Sequence, residues 1–192
     1  MRVGKVQRVT KETEILVEIN MDLKNQSIIE SGIGFLDHML QLFCFHGNFT
    51  LKLCCNGDLN VDSHHTVEDI GIAIGTAIKE ALGDNKGIKR YSSLSIPMDE
   101  ALCNIALDIS NRAYLVFNVN FKRENIGSIA TEDFREFFRA LVGSCGLTLH
   151  IDVPYGENDH HKIESVFKAF GRALREAVEI TSKEIPSSKG VL

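Results

Sequence analysis

The 192-residue sequence has no apolar run of membrane-spanning length, no C-x-x-C pair and no surplus of positive charge. Each absence removes a class of function. A transmembrane helix needs about 20 mostly apolar residues in succession, so no membrane partner is expected. The opening stretch MRVGKVQRVTKETE carries no apolar core of the signal-peptide kind, which gives the expectation of a cytoplasmic protein. The five cysteines, Cys44, Cys54, Cys55, Cys103 and Cys145, are odd in number and read as reduced thiols, mostly in the core. A net charge of −5 argues against nucleic acid as the main partner. What remains is 44% hydrophobic and 24% charged, enough apolar material for a real core.

Against that plain background one pattern stands out. The segment DSHHTVEDIGIAIGTAIKEAL (62–82) recurs as NDHHKIESVFKAFGRALREAV (158–178). Both fit H-H-x-[VI]-E-x-[IV]-x-x-A-x-G-x-A-x-[KR]-E-A, the pattern of a duplicated metal-binding unit on an amphipathic helix. The rest of the chain follows the same order twice. Alternating apolar residues predict strands at 2–9, 13–19 and 49–55, and helical spacing predicts a helix at 35–45, with a polar loop over 22–34. In the second half, strands are predicted at 101–109, 113–121 and 147–153, and helices at 131–144 and 161–179. The polar, glycine-bearing stretch 83–95 divides the chain into half-domains 1–94 and 95–192, fused into one compact unit around a shared core. The expected fold is α+β, with duplicated β-β-α-β-α halves and helices packed on one sheet face.

His64 and Glu68 are four residues apart and share one side of a helix, as do His160 and Glu164. His65 and His161 lie about 100° further round, so neighbouring histidines diverge toward different ions. A pseudo-twofold arrangement gives one ion His64, Glu68 and His161, and the other His160, Glu164 and His65. Registering the preceding helices places His38 and Glu136 in equivalent slots, each able to serve as a further ligand. Nitrogen and carboxylate donors without thiolate favour six-coordinate Mn, Fe, Co or Ni over a structural zinc. His46 follows a helix end and reads either as a cap or as a phosphate donor. His150 reads as a structural or surface residue. Arg90, Arg112 and the Ser187-Ser188-Lys189-Gly190 segment offer cations, hydroxyls and backbone N–H groups to a phosphate. Taken singly, each reads as a surface arginine or a frayed tail.

The segments RVTKETEI, GIGFLDHML, DSHHTVEDIGIAIGTA, IPMDEAL, GENDHHKIESVFKAFGRAL and IPSSKGVL resemble the imidazoleglycerol-phosphate dehydratase family over nearly the whole chain. The resemblance implies a metal-dependent hydro-lyase of histidine biosynthesis. It further implies two manganese ions per active site, and sites built between subunits of a 24-subunit homo-oligomer. His38, His65, His160 and Glu164 match one ion's ligands; His64, Glu68, His161 and position 136 match the other's. Glu12 matches the acid–base glutamate that meets the substrate, with Asp99 as an alternative base. Arg90, Arg112, Ser187, Ser188 and Lys189 match phosphate-binding groups, and His46 is a further candidate contact. Plant members carry histidine where this chain has Glu136, a substitution that keeps a possible ligand but changes its chemistry. No fused phosphatase domain is present, so one activity is expected. The implied reaction eliminates water from imidazoleglycerol phosphate through a metal-stabilised imidazolate, giving imidazoleacetol phosphate. Two other readings use the same histidines: a dinuclear metallohydrolase, and a non-catalytic oligomer that stores or senses metal. The second has no need for Arg90, Arg112 and the C-terminal segment to converge.

Overall fold

The computed structural model describes residues 1–192. Alternation builds the first sheet. Strands β1 (Val3–Val9) and β2 (Thr13–Asn20) form a hairpin in which Thr13, Ile15, Val17 and Ile19 are buried and Leu16 faces outward. A short third strand, β3 (Ile28–Glu30), precedes helix α1 (Gly34–Gly47), strand β4 (Thr50–Gly57) and helix α2 (His64–Leu82). The sheet order is β1-β2-β4-β3, with β3 parallel to β4.

The second half repeats this plan with β5 (Tyr91–Met98), β6 (Ala101–Ile109) and β7 (Tyr114–Asn118). A two-stranded ribbon follows, β8 (Asn125–Ile126) with β9 (Ile129–Ala130), then helix α3 (Asp133–Cys145), strand β10 (Leu147–Tyr155) and helix α4 (Asp159–Ala177). Its sheet order, β5-β6-β10-β7, matches the first, and β7 runs parallel to β10 as β3 does to β4. The fold is the α+β duplication that the sequence indicates, with one more strand in each sheet and the β8–β9 ribbon added in the second half. β3 is only three residues long and falls in the segment expected to be a loop. β5 reads YSSLSIPM, rich in serine, and lies at a sheet edge where Pro97 is tolerated, so its apolar alternation is faint. The segment 113–121 is therefore not the partner of a hairpin with 101–109. Its ordered part, β7, is the parallel edge strand, and β5 takes the hairpin position. The division at 94/95 falls inside β5; the chain crosses between sheets over 83–90, where Gly83 and Gly87 have positive φ.

Helix α2 lies on β1 and β2, and α4 lies on β5 and β6, while α2 also packs on α3 and α1 on α4. The helices of the two halves thus meet between the sheets, and one apolar cluster joins both halves. Small residues allow the approach. A Cβ added at Gly75 would overlap the Leu141 carbonyl of α3, and one at Gly171 would overlap the Phe43 carbonyl of α1. Gly75 and Gly171 are the same position of the repeat.

These contacts give opposite signs for one substitution. Gly75→Ala or Gly171→Ala should destabilise by about 1–3 kcal/mol through overpacking, despite alanine's better helix propensity. Gly143→Ala, on the open face of α3 with no neighbour near its added Cβ, should instead stabilise by ~0.5–1 kcal/mol. Urea midpoints at fixed protein concentration measure both.

Candidate metal centre and anion grip

The first turn of α4 is capped by Asn158, whose side-chain oxygen accepts from the His160 N–H at 2.9 Å. One turn on, Glu164 Oε2 lies 3.0 Å from His160 Nε2. Because α1 packs along α4, His38 Nε2 comes within 4.0 Å of the same carboxylate oxygen. The ligand atoms of His38, His160 and Glu164 all lie within 4.8 Å of one another. Phe35 packs edge-on against the rings of both histidines and screens one side of the group. Burial opposes the Glu164 charge, but hydrogen bonds from Lys168 and His160 hold its carboxyl below the usual range. Two imidazoles and a charged carboxylate fit a divalent transition ion, and they leave part of its coordination shell to other donors.

A second group stands at the equivalent place between α2 and α3. His64 Nε2 is 3.9 Å from Glu68 Oε2. Arg139 donates to Glu68 at 3.1 Å and reaches Glu136 at 2.5 Å, gathering the two carboxylates. Glu136 faces α2 from α3 as His38 faces α4 from α1. Arg139 has no signal in the sequence, where it reads as one more solvated charge on α3. Behind His64, the buried Asp133 meets Nδ1 at 3.2 Å and takes a hydrogen bond from Ser63. Asp133 also escapes sequence reading, since an acidic residue in the first turn of a helix is ordinary.

His65 and His161 join neither group within the chain. His65 Nδ1 is 2.9 Å from Asp58, and its Nε2 is 3.8 Å from Glu12. His161 Nδ1 is 2.7 Å from Glu100, and its Nε2 is 3.9 Å from Asp99. Each is thus held through Nδ1 by a carboxylate, which leaves Nε2 outward for a ligand. The Asp58 bond raises the pKa of His65, and the Glu100 bond raises that of His161. Glu100 itself is lowered to about 2, first by the Asn158 N–H and then by His161. The cross-repeat pairing of His65 with His160 and of His161 with His64 is not closed inside one chain.

The anion-binding candidates do converge. Arg90 binds Asp108 at 2.7 Å and the Pro186 carbonyl at 2.8 Å, and Arg112 reaches the other Asp108 oxygen at 3.3 Å. Asn111 holds the Leu192 carbonyl, so the segment bearing Ser187, Ser188 and Lys189 lies against the same corner. Asp108 organises the group and raises the Arg90 pKa, yet it is just an alternating strand residue in the sequence. His46 stands apart, in a cleft of about 560 Å³ shared with Arg172 and Arg175. Burial, then the nearby Lys168 and Arg172 charges, lower its pKa. The Arg90 N–H bonds the Ala177 carbonyl at the far end of α4. From His160 to Ala177 the helix rises roughly 25 Å, so one chain's metal donors and its anion grip are too far apart to hold one small molecule.

A sequence model of the family Imidazoleglycerol-phosphate dehydratase matches residues 31–174. The imidazoleglycerol-phosphate dehydratase of Clostridioides difficile (strain 630) is 64% identical over 192 residues, all of both chains. That of Clostridium botulinum (strain Alaska E43 / Type E3) is 55% identical, over all of this chain and 98% of the relative. The crystal structure of imidazoleglycerol-phosphate dehydratase from Staphylococcus aureus subsp. aureus N315 is similar with a TM-score of 0.85 and 44% identity, over 93% of this chain and 99% of that one. The structure of IGPD from Pyrococcus furiosus in complex with (S)-C348 is similar with a TM-score of 0.86 and 38% identity, over 97% and 100%.

The carboxylates behind the histidines set a measurable expectation. Asp133→Asn, Asp58→Asn and Glu100→Gln leave every candidate ligand in place but loosen the ring each one orients. Each should weaken divalent-ion binding by roughly 10–100-fold. Titration calorimetry with Mn2+ on chelator-stripped protein reads this directly; unchanged affinity in all three would remove them from the metal centre.

Proposed function

The chain belongs to the imidazoleglycerol-phosphate dehydratase family, a hydro-lyase family of histidine biosynthesis, and we propose that it acts at dimanganese sites shared between its subunits. The observation that carries the reading is the separation of parts: a three-donor group of His38, His160 and Glu164, a His64–Glu68 pair at the equivalent place with Glu136 tied in through Arg139, and an anion grip a helix length away. Each chain also presents two histidines, His65 and His161, that belong to neither cluster. We assign His38, His160 and Glu164 of one copy with His65 of a neighbouring copy to one ion. His64, Glu68 and Glu136 with His161 of a neighbouring copy take the other. Two ions held there would supply Lewis acidity toward an imidazole ring.

The chain's own groups account for the remaining requirements. Dehydration breaks the C–O bond on the carbon attached to the ring and the C–H bond on the next carbon; the enol then becomes the ketone of imidazoleacetol phosphate. Glu12 is the proposed base for that C–H. It lies on the β1–β2 turn, half exposed, beside His65 and outside both donor groups. Asp99 holds the corresponding place beside His161 and is the alternative. Arg90, Arg112, Ser187, Ser188 and Lys189 take the phosphate, with Asp108 fixing both guanidiniums before substrate arrives. His46, in its cleft with Arg172 and Arg175, is a further proposed phosphate contact. Phe35 excludes water from one flank of the histidines. The convergence of Arg90, Arg112 and the C-terminal segment favours this reading over a metal store. We extend it to a 24-subunit cytoplasmic enzyme on the resemblance alone; separately, no helix is long and apolar enough to cross a membrane.

Two experiments test the proposal. Glu12→Gln should lower kcat by about 10²–10⁴-fold with substrate affinity nearly kept, while Asp99→Asn stays near wild type. The reverse pattern moves the base to Asp99. Separately, His160→Ala and Lys189→Ala proteins, each nearly inactive, should regain activity when dissociated, mixed and reassembled with Mn2+, because mixed oligomers contain sites with both parts intact. No recovery on mixing, together with an active monomer by light scattering, would place the whole site in one chain.

A further inference from the structure

The turn that carries Glu12 is tied to α2 by a carboxylate adjoining the metal motif, Asp69. Asp69 follows Glu68 and is buried, and both its oxygens are used. Oδ1 accepts from Arg8 Nη2 at 2.8 Å, near the end of β1, and Oδ2 accepts from Thr13 Oγ1 at 2.5 Å, at the start of β2. The two contacts straddle the turn. Within it, Thr10 Oγ1 accepts the N–H groups of Glu12 at 3.1 Å and Thr13 at 2.9 Å. The Glu12 carbonyl in turn accepts from the Asp58 N–H at 3.1 Å, and Asp58 holds His65. A hairpin turn is ordinarily mobile at its tip; this one is fixed from both sides to the helix that displays His64, His65 and Glu68.

The duplication supplies an internal control. Asp69 stands five residues after His64, and the residue five after His160 is Ser165, whose hydroxyl turns back to the Lys162 carbonyl of its own helix. Val17 pairs with Leu53 as Ile105 pairs with Ile151, which makes Ala101 the counterpart of Thr13. Arg8 pairs with Ile15, and its counterpart Ile96 pairs with Cys103. The other half therefore has serine, alanine and isoleucine where this half has aspartate, threonine and arginine. Framework needs shared by both halves do not explain a device present in only one.

We infer that Asp69 is a positioning residue for the elimination, holding the Glu12 carboxylate in register with the metal-bearing helix through Thr13 and Arg8. This rests on Glu12 being the base. A carboxylate displaced by about 1 Å from its proton loses up to 10²-fold in rate. Asp69→Asn should therefore lower kcat roughly 10- to 100-fold, with KM, Mn2+ content and assembly size unchanged. Thr13→Val should behave alike and Thr13→Ser should restore the rate. Amides of residues 11–13 should exchange faster in Asp69→Asn and in Thr13→Val. The double variant Asp69→Asn/Glu12→Gln should be no slower than Glu12→Gln alone, since a misplaced base and an absent one fail at the same step. A near-wild-type kcat in both Asp69→Asn and Thr13→Val, full additivity in the double variant, or loss of Mn2+ in step with rate would overturn the positioning role while Glu12→Gln stays slow. A fast Glu12→Gln would sink the base assignment, and this inference with it.

Discussion

The contact on which the site depends is the close packing of helices from opposite halves, α1 on α4 and α2 on α3. Gly171 lets the α1 backbone come against α4, and Gly75 does the same for α3 against α2. That approach brings His38 to the His160 and Glu164 pair, and lets Arg139 join Glu136 to Glu68 of the other pair. A wider interhelix gap would leave two i,i+4 pairs on separate helix faces, too few donors to hold an ion in water. The sheets supply the rest of the frame, since each presents one buried face to this helix layer.

Charge is then distributed so that ligands stay ready for a cation. Asp133, Asp58 and Glu100 each fix the Nδ1 side of a histidine. Glu164 stays charged despite its burial because Lys168 and His160 hydrogen-bond to it. At the other end of α4 the sign is reversed: Asp108 gathers the two cations Arg90 and Arg112. The two ends are a helix length apart, and α4 acts as a ruler that keeps opposite charges from neutralising one another within one chain.

Duplication gave the molecule two similar halves, and departures from symmetry show where the halves took different tasks. Glu136 replaces a histidine-equivalent slot with a carboxylate, and Arg139 sits beside it. Asp69, Thr13 and Arg8 anchor one hairpin turn, while Ser165, Ala101 and Ile96 leave the other without that anchor. The turn with the anchor is the one that bears Glu12.

The sequence by itself determined the duplication, the α+β class, the helices that carry the histidine pairs and the family. These are local: helical spacing, strand alternation and a repeated motif are written in neighbouring residues. β3 and β5 were not legible, because a three-residue strand and a serine-rich edge strand owe their existence to partners that supply hydrogen bonds rather than to their own apolar pattern. Asp108, Asp133, Arg139 and Asp69 were likewise invisible as site residues, since a lone charge on a strand or helix acquires meaning only from what the fold sets opposite it. Whether His65 joins His160, and how far Arg90 stands from Glu164, were matters for tertiary structure alone. Distance between groups far apart in sequence is set by packing, and packing here places the metal donors and the anion grip at opposite ends of one helix.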